Sequence, residues 1–180
     1  MMKNITLRQY ATLVDSSMYD SVLEHVNPVN SFQGGKMNIN QMPYANVKYC
    51  IRIIQKVDKW EIICQLFEIC FDVPEVKFWR AGVVEFFQAK KFMTDSFNAL
   101  VQNEAKQLAS KATDEHLWKM AGADNLRPFN DTLPLIQLGK LFGQYPFDLG
   151  RKPYSEVFSL LVQIKAQNEV ESEYQKLNSK

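Results

Sequence analysis

The chain of 180 residues holds only two histidines and three cysteines, and that scarcity removes several kinds of chemistry. Cys50, Cys64 and Cys70 are an odd set without a CxxC pair. Each stands in an apolar surround such as EIICQLFEICF, where a free thiol behaves as a small buried hydrophobe. His25 and His116 lie far from the cysteines and from each other, without zinc-ligand spacing. Unpaired thiols of this kind fit a reducing cytosol.

Motifs that cradle phosphate or activate a nucleophile are equally scarce. Gly34-Gly35 is not followed by the Lys-Ser or Lys-Thr of a phosphate loop. Neither a nucleophile elbow nor HExxH occurs, and no spaced run of carboxylates makes a calcium loop. His116 beside Asp114 and Glu115 reads as an exposed first-turn histidine, because adjacent helix positions point in different directions and acidic residues there favour the helix dipole. Glu68, Asp72 and Glu75 read as caps or surface groups as readily as an acid site. No enzyme, cofactor or metal is expected.

Charge of one sign is lacking too. Twenty-one basic against 20 acidic residues leave a formal charge of +1, so no global field attracts nucleic acid or an anionic membrane. Lys90-Lys91 and Arg151-Lys152 are short basic pairs expected on solvated helix faces and ends. No window approaches the roughly 18 uninterrupted apolar residues of a membrane span. The first residues lack the apolar stretch of a signal peptide.

What is present is core material: 46% hydrophobic and 12% aromatic residues, with an ordinary 23% charged. The length suits one helical domain over 1–180, with room for two lobes divided near 111–113. Apolar residues recur at period 3.6, not 2, so the chain reads as all-α, an irregular multi-helix bundle.

Thr6 and Gln9 have capping-box spacing ahead of Leu7, Tyr10, Ala11 and Val14, and that helix continues or restarts through Met18, Tyr19, Val22 and Leu23. Asn27 to Met42, with Pro28, Gly34 and Gly35, reads as the longest loop. Pro43 opens a second helix along Tyr44, Val47, Ile51 and Ile54. Asp58 and Glu61 announce a third, apolar nearly all round and therefore central. Pro74 interrupts, and a short segment through Phe78 and Trp79 ends near Gly82.

Two long helices are expected, about 83–110 and 153–177. The first has a polar second half that projects to solvent or lies against a neighbour. Between them, Thr113 and Asp114 start a short helix, NDTLPLIQLGKLFG forms another ending at Gly143, and YPFDLGRK reads as a turn-rich connector. The segments QMPYANV and RKPYSEV repeat one pattern, a proline opening a helix, then tyrosine, then valine three positions on. Convergence on a good helix start and a duplicated hairpin both account for it.

The last helix begins apolar with Val157, Phe158, Leu160, Leu161 and Ile164, then turns polar. About 25 residues at 1.5 Å each span about 37 Å, more than a small domain's core covers. Val170, Tyr174 and Leu177 recur at helical spacing on the distal half, which reads either as a thin contact stripe or as a solvated helix with Glu/Lys pairs. With Tyr154 and Phe158 they are the candidate protein-contact residues. The apolar faces around Trp60, Phe67, Phe87 and Phe97 are expected to stabilise the subunit.

From MAGADNLRPFNDTLPLIQLGKLFG through KPYSEVFSLLVQIKAQNEVESEYQKL, the C-terminal third resembles helical structural and assembly proteins of tailed bacteriophages. The likeness rests on a proline-aromatic helix start leading into a tail of the form KAxxExExxY, here Lys165, Ala166, Glu169, Glu171 and Tyr174. It implies a noncatalytic virion component of the neck, head-tail connector or tail ring. Such a component self-associates, contacts other phage structural proteins and is assembled in the bacterial host cytoplasm. A tail assembly chaperone absent from the mature particle is the second reading. A small cytosolic helical enzyme or ligand-binding regulator is the third. Neither membrane association nor sequence-specific nucleic acid binding is expected.

Overall fold

The computed structural model describes residues 5–16, 21, 23, 25–54, 59–109 and 119–178. Among them the regular structure is helical, with isolated bridge pairs and no strand, as period 3.6 requires. The helices are α1 (Leu7–Ala11), α2 (Tyr44–Ile54), α3 (Trp60–Phe71), α4 (Glu75–Phe78), α5 (Val83–Leu108), α6 (Leu133–Phe142), α7 (Pro146–Arg151) and α8 (Tyr154–Asn178), with 3-10 turns at Ile39–Gln41 and Ala123–Phe129. No helix among the described residues is long and apolar enough to cross a membrane.

Local signals place most of these boundaries. Thr6 caps α1 in the expected capping box: its hydroxyl accepts from the Gln9 N–H while the Gln9 side chain accepts from the Thr6 N–H. Asp72 ends α3 at φ 56°, ahead of Pro74. Gly143 ends α6 at φ 63°, a left-handed conformation that favours glycine. Four expectations fall outside the described residues: the continuation through Met18, Tyr19 and Val22, the Asp58 cap, the helix start at Thr113 and Asp114 with His116, and a division near 111–113.

Two readings are corrected. Val14 is fully exposed beyond the end of α1 and joins no helix face, because the Thr12 and Leu13 N–H groups close on Gln9 and Tyr10 and turn the chain. YPFDLGRK is not a connector throughout. Pro146 opens α7, where proline's fixed φ and missing N–H suit the first turn.

The chain forms two compact units, the first from Met1–Ile39 with Cys50–Val101, the second from Asn40–Tyr49 with Gln102–Lys180. Helices α2 and α5 each supply residues to both.

The first unit is organised by aromatic rings. Phe67 on α3 has Phe32, Phe71, Phe78 and Phe86 around it at centroid distances of 4.6 to 5.4 Å. All five are buried. Phe32 comes from the loop expected between Asn27 and Met42, which is tied down: Phe32 and Gly35 exchange backbone hydrogen bonds of 3.0 and 2.8 Å around Gly34 at φ 84°. Gly35 is required by space, since a Cβ there would collide with the Phe71 carbonyl. On α5 the buried residues are Val83, Phe86, Ala89, Met93 and Phe97. Phe87 is half-buried against the Tyr10, Leu23 and Val83 cluster, as is Trp60.

Candidate functional site

The two segments with the repeated pattern meet. Pro43 and Pro153 form an antiparallel bridge. The Tyr44 N–H donates to the Lys152 carbonyl at 2.9 Å and the Tyr154 N–H to the Met42 carbonyl at 2.8 Å. The first N–H groups of a helix have no partner within it, so each helix start satisfies the other's. The Tyr44 and Tyr154 rings lie stacked, 5.9 Å between centroids and 7° between planes, with Val47 and Val157 wholly buried one turn on.

The first unit contains the same device on different residues. Thr6 and Gly82 form the bridge. The Leu7 N–H donates to the Ala81 carbonyl and the Val83 N–H to the Ile5 carbonyl, both at 2.9 Å. Leu7 and Val83 are buried, as are Tyr10 and Phe86 three positions on. In all four helix starts an apolar first residue donates to the carbonyl two residues ahead of its partner's start. A second apolar residue follows at the spacing that puts it on the same face. Only the proline-tyrosine pair was recognisable in the sequence, because Thr6 and Gly82 share no side-chain chemistry with Pro43 and Pro153.

A half-buried polar cluster completes the tyrosine pair. The Glu104 carboxylate accepts from Lys48 Nζ at 2.6 and 2.7 Å and from the Tyr154 hydroxyl at 2.7 Å, while Lys48 Nζ sits 5.5 Å from the Tyr44 ring centroid. Burial first, then the hydrogen bond to Glu104, raises the Tyr154 hydroxyl well above its usual pKa, and burial followed by the nearby Glu104 charge raises Tyr44. Both phenols stay protonated at neutral pH, and the cluster fixes the Glu104 charge between Lys48 and Tyr154. Glu104 lies in the polar half of α5 expected to project to solvent or lie against a neighbour. Its inward turn was not legible because the partners lie about 50 residues away along the chain.

Glu68, Asp72 and Glu75 are exposed: Asp72 is a helix end, and Glu75 accepts from Trp79 Nε1 at 3.2 Å. Among the described residues no group of three histidine, cysteine or acidic side chains suits a metal.

The expected contact residues divide into two sets. Tyr154 is buried in the second unit and Phe158 is half-buried with its ring stacked on Tyr154 at 5.5 Å, so internal packing occupies both rings. Val170, Tyr174 and Leu177 are 69%, 66% and 71% exposed. Lys165 Nζ donates to the Gln107 carbonyl at 2.9 Å, and from Ala166 to Asn178 every residue of α8 is exposed. These 13 positions make a rod of about 20 Å. A groove of about 490 Å³ runs along α8 into its distal half, lined by Leu161, Ile164, Glu169 and Lys176 together with Leu108 and Pro134, among others.

A second exposed apolar group went unanticipated. Leu141, Phe142, Tyr145 and Phe147, at the α6–α7 turn, are 62%, 50%, 62% and 66% exposed, and the Tyr145 and Phe147 rings lie 5.4 Å apart. The available signal was a surplus: KLFGQYPF holds more large apolar residues than one face of a short helix pair can bury. Comparison with protein-family models, curated proteins and solved structures finds no match for this chain.

Proposed function

We propose that the protein is a noncatalytic building block of a tailed-phage particle, a component of the neck, head-tail connector or tail ring that acts through subunit contacts. The observation that carries this reading is the exposed distal half of α8, where Val170, Tyr174 and Leu177 line one open face with Ala166, Glu169 and Glu173. An isolated helix of that length is marginal in water, and apolar side chains repeated along it are what an interface anchor supplies. The resemblance of the C-terminal third to phage structural and assembly proteins names the setting.

Mass spectrometry of purified particles tests the proposal. Stoichiometric presence of the chain supports it. Presence in infected cells with absence from particles replaces it with the assembly-chaperone reading.

A further inference from the structure

We infer that the apolar ridge of Leu141, Phe142, Tyr145 and Phe147 is a contact surface between two copies of this chain, an inference that rests on the proposed self-assembly. The ridge is displayed by a braced turn. Leu135, Leu138 and Leu149 fill the inner side of α6 and α7 and are buried, so the outer residues have no place inside. Gly139 lets the turn close: a Cβ there would stand 2.7 Å from the Gln144 carbonyl, whose own N–H donates to the Gly139 carbonyl at 3.1 Å.

Area and charge favour a second copy as the occupant. Taking about 200 Å² for a large aromatic side chain and somewhat less for leucine, the exposed fractions amount to about 450 Å². That is more than half of the ~800 Å² each partner contributes to a standard interface, from four side chains alone. The charged residues flanking the ridge along the chain are Lys140, Asp148, Arg151 and Lys152, with Arg151 paired to Asp148 at 3.6 Å and Lys152 to Glu156 at 2.9 Å. A two-fold contact matches one patch with itself, so a rim of mixed sign lets Lys140 of one copy face Asp148 of the other without like-charge repulsion. A strongly acidic or basic partner has no complementary field here.

Light scattering on the full chain across a concentration series, coupled to size exclusion, reads the result directly. The wild type should reach at least the dimer mass. Phe147→Glu should lower the mass to the monomer while far-UV circular dichroism stays unchanged. The milder pair Leu141→Gln with Tyr145→Ser serves if Phe147→Glu loses helix content. A wild type that is monomeric throughout, or folded ridge variants that keep the wild-type mass, overturns the inference. Particle composition is read separately, so a virion protein whose ridge variants still associate would sink the ridge contact and leave the proposed function standing.

Discussion

Tyr44 and Tyr154, 110 positions apart in the chain, stack within 7° of parallel while each donates its backbone N–H to the residue ahead of the other's proline. The pair joins the starts of α2 and α8 through three kinds of interaction at once: backbone hydrogen bonds, ring stacking and the Glu104 cluster. Its contributions can be separated by substitution.

Tyr154→Phe should destabilise the fold by about 2 kcal/mol, because it removes a hydroxyl bonded to the Glu104 carboxylate but keeps the ring. Tyr154→Ala should cost about 3 to 5 kcal/mol through loss of a buried aromatic side chain. A double-mutant cycle with Tyr44→Ala should return a coupling of roughly 0.5 to 1.5 kcal/mol for the stacked rings. Urea denaturation followed by circular dichroism measures all three, and a Tyr154→Ala cost no larger than that of Tyr154→Phe would remove the rings from the account.

Lys48 and Glu104 have side chains only 17% and 13% exposed, whereas Lys165 and Glu169 are 24% and 45% exposed. Lys48→Met should therefore cost about 2 kcal/mol, in the range for hydrogen bonds to a charged group. Breaking the outer pair with Glu169→Gln should cost about 0.5 kcal/mol or less. Raising salt should shrink the second effect and leave the first nearly unchanged. Equal costs would contradict the difference in burial.

Stability should fall on the alkaline side. Burial, with Glu75 and Glu68 adding to it, raises the Cys64 thiol from 9.0 to about 11, and Tyr44 and Tyr154 are raised above the ordinary phenol value of 10.0. A group whose folded pKa is raised keeps its proton in the folded chain after the unfolded chain has lost it. The unfolded state then binds fewer protons, and stability declines with rising pH. The Cys64 contribution is complete below about 9 and is lost by about 11, and the tyrosine contributions begin to go above about 10. Urea midpoints taken from about pH 8 upward should drop, and Cys64→Ala should remove only part of the early decline, because the hydrogen bond to Cys50 and burial raise the Cys70 thiol as well. A midpoint constant up to about pH 11 would contradict this assignment.

Gly35→Ala should destabilise by about 1 to 3 kcal/mol, since the added methyl meets the Phe71 carbonyl and backbone must shift to make room. Gly82 has nothing within 4 Å of the corresponding position. Gly82→Ala should be close to neutral by the same measurement, which makes it the control for loss of glycine as such.

A chain ending at Lys165 loses only exposed α8 positions among the described residues. It should keep its unfolding free energy within about 0.5 kcal/mol and, on the proposed virion role, fail to enter particles when supplied in place of the full protein. Unfolding of the shortened chain would assign the distal half of α8 to the core, contrary to its exposure.

By itself the sequence determined where several helices start and stop, because those signals act over three or four residues: the Thr6–Gln9 box, proline at positions 43 and 153, and glycine at 143. The length of α8 and the exposure of its far end followed from counting residues against the reach of a core. Apolar period alone misplaced Val14, and it could not separate the buried Phe86 from its half-buried neighbour Phe87. Only the tertiary structure decided which starts pair, that Phe32 enters the ring cluster from a loop, that Glu104 turns inward to Lys48 and Tyr154, and that Leu141, Phe142, Tyr145 and Phe147 stay outside. Each of these depends on partners distant along the chain. Burial is set by total area removed from water, so the choice among equally apolar residues is made by the packing of the whole unit.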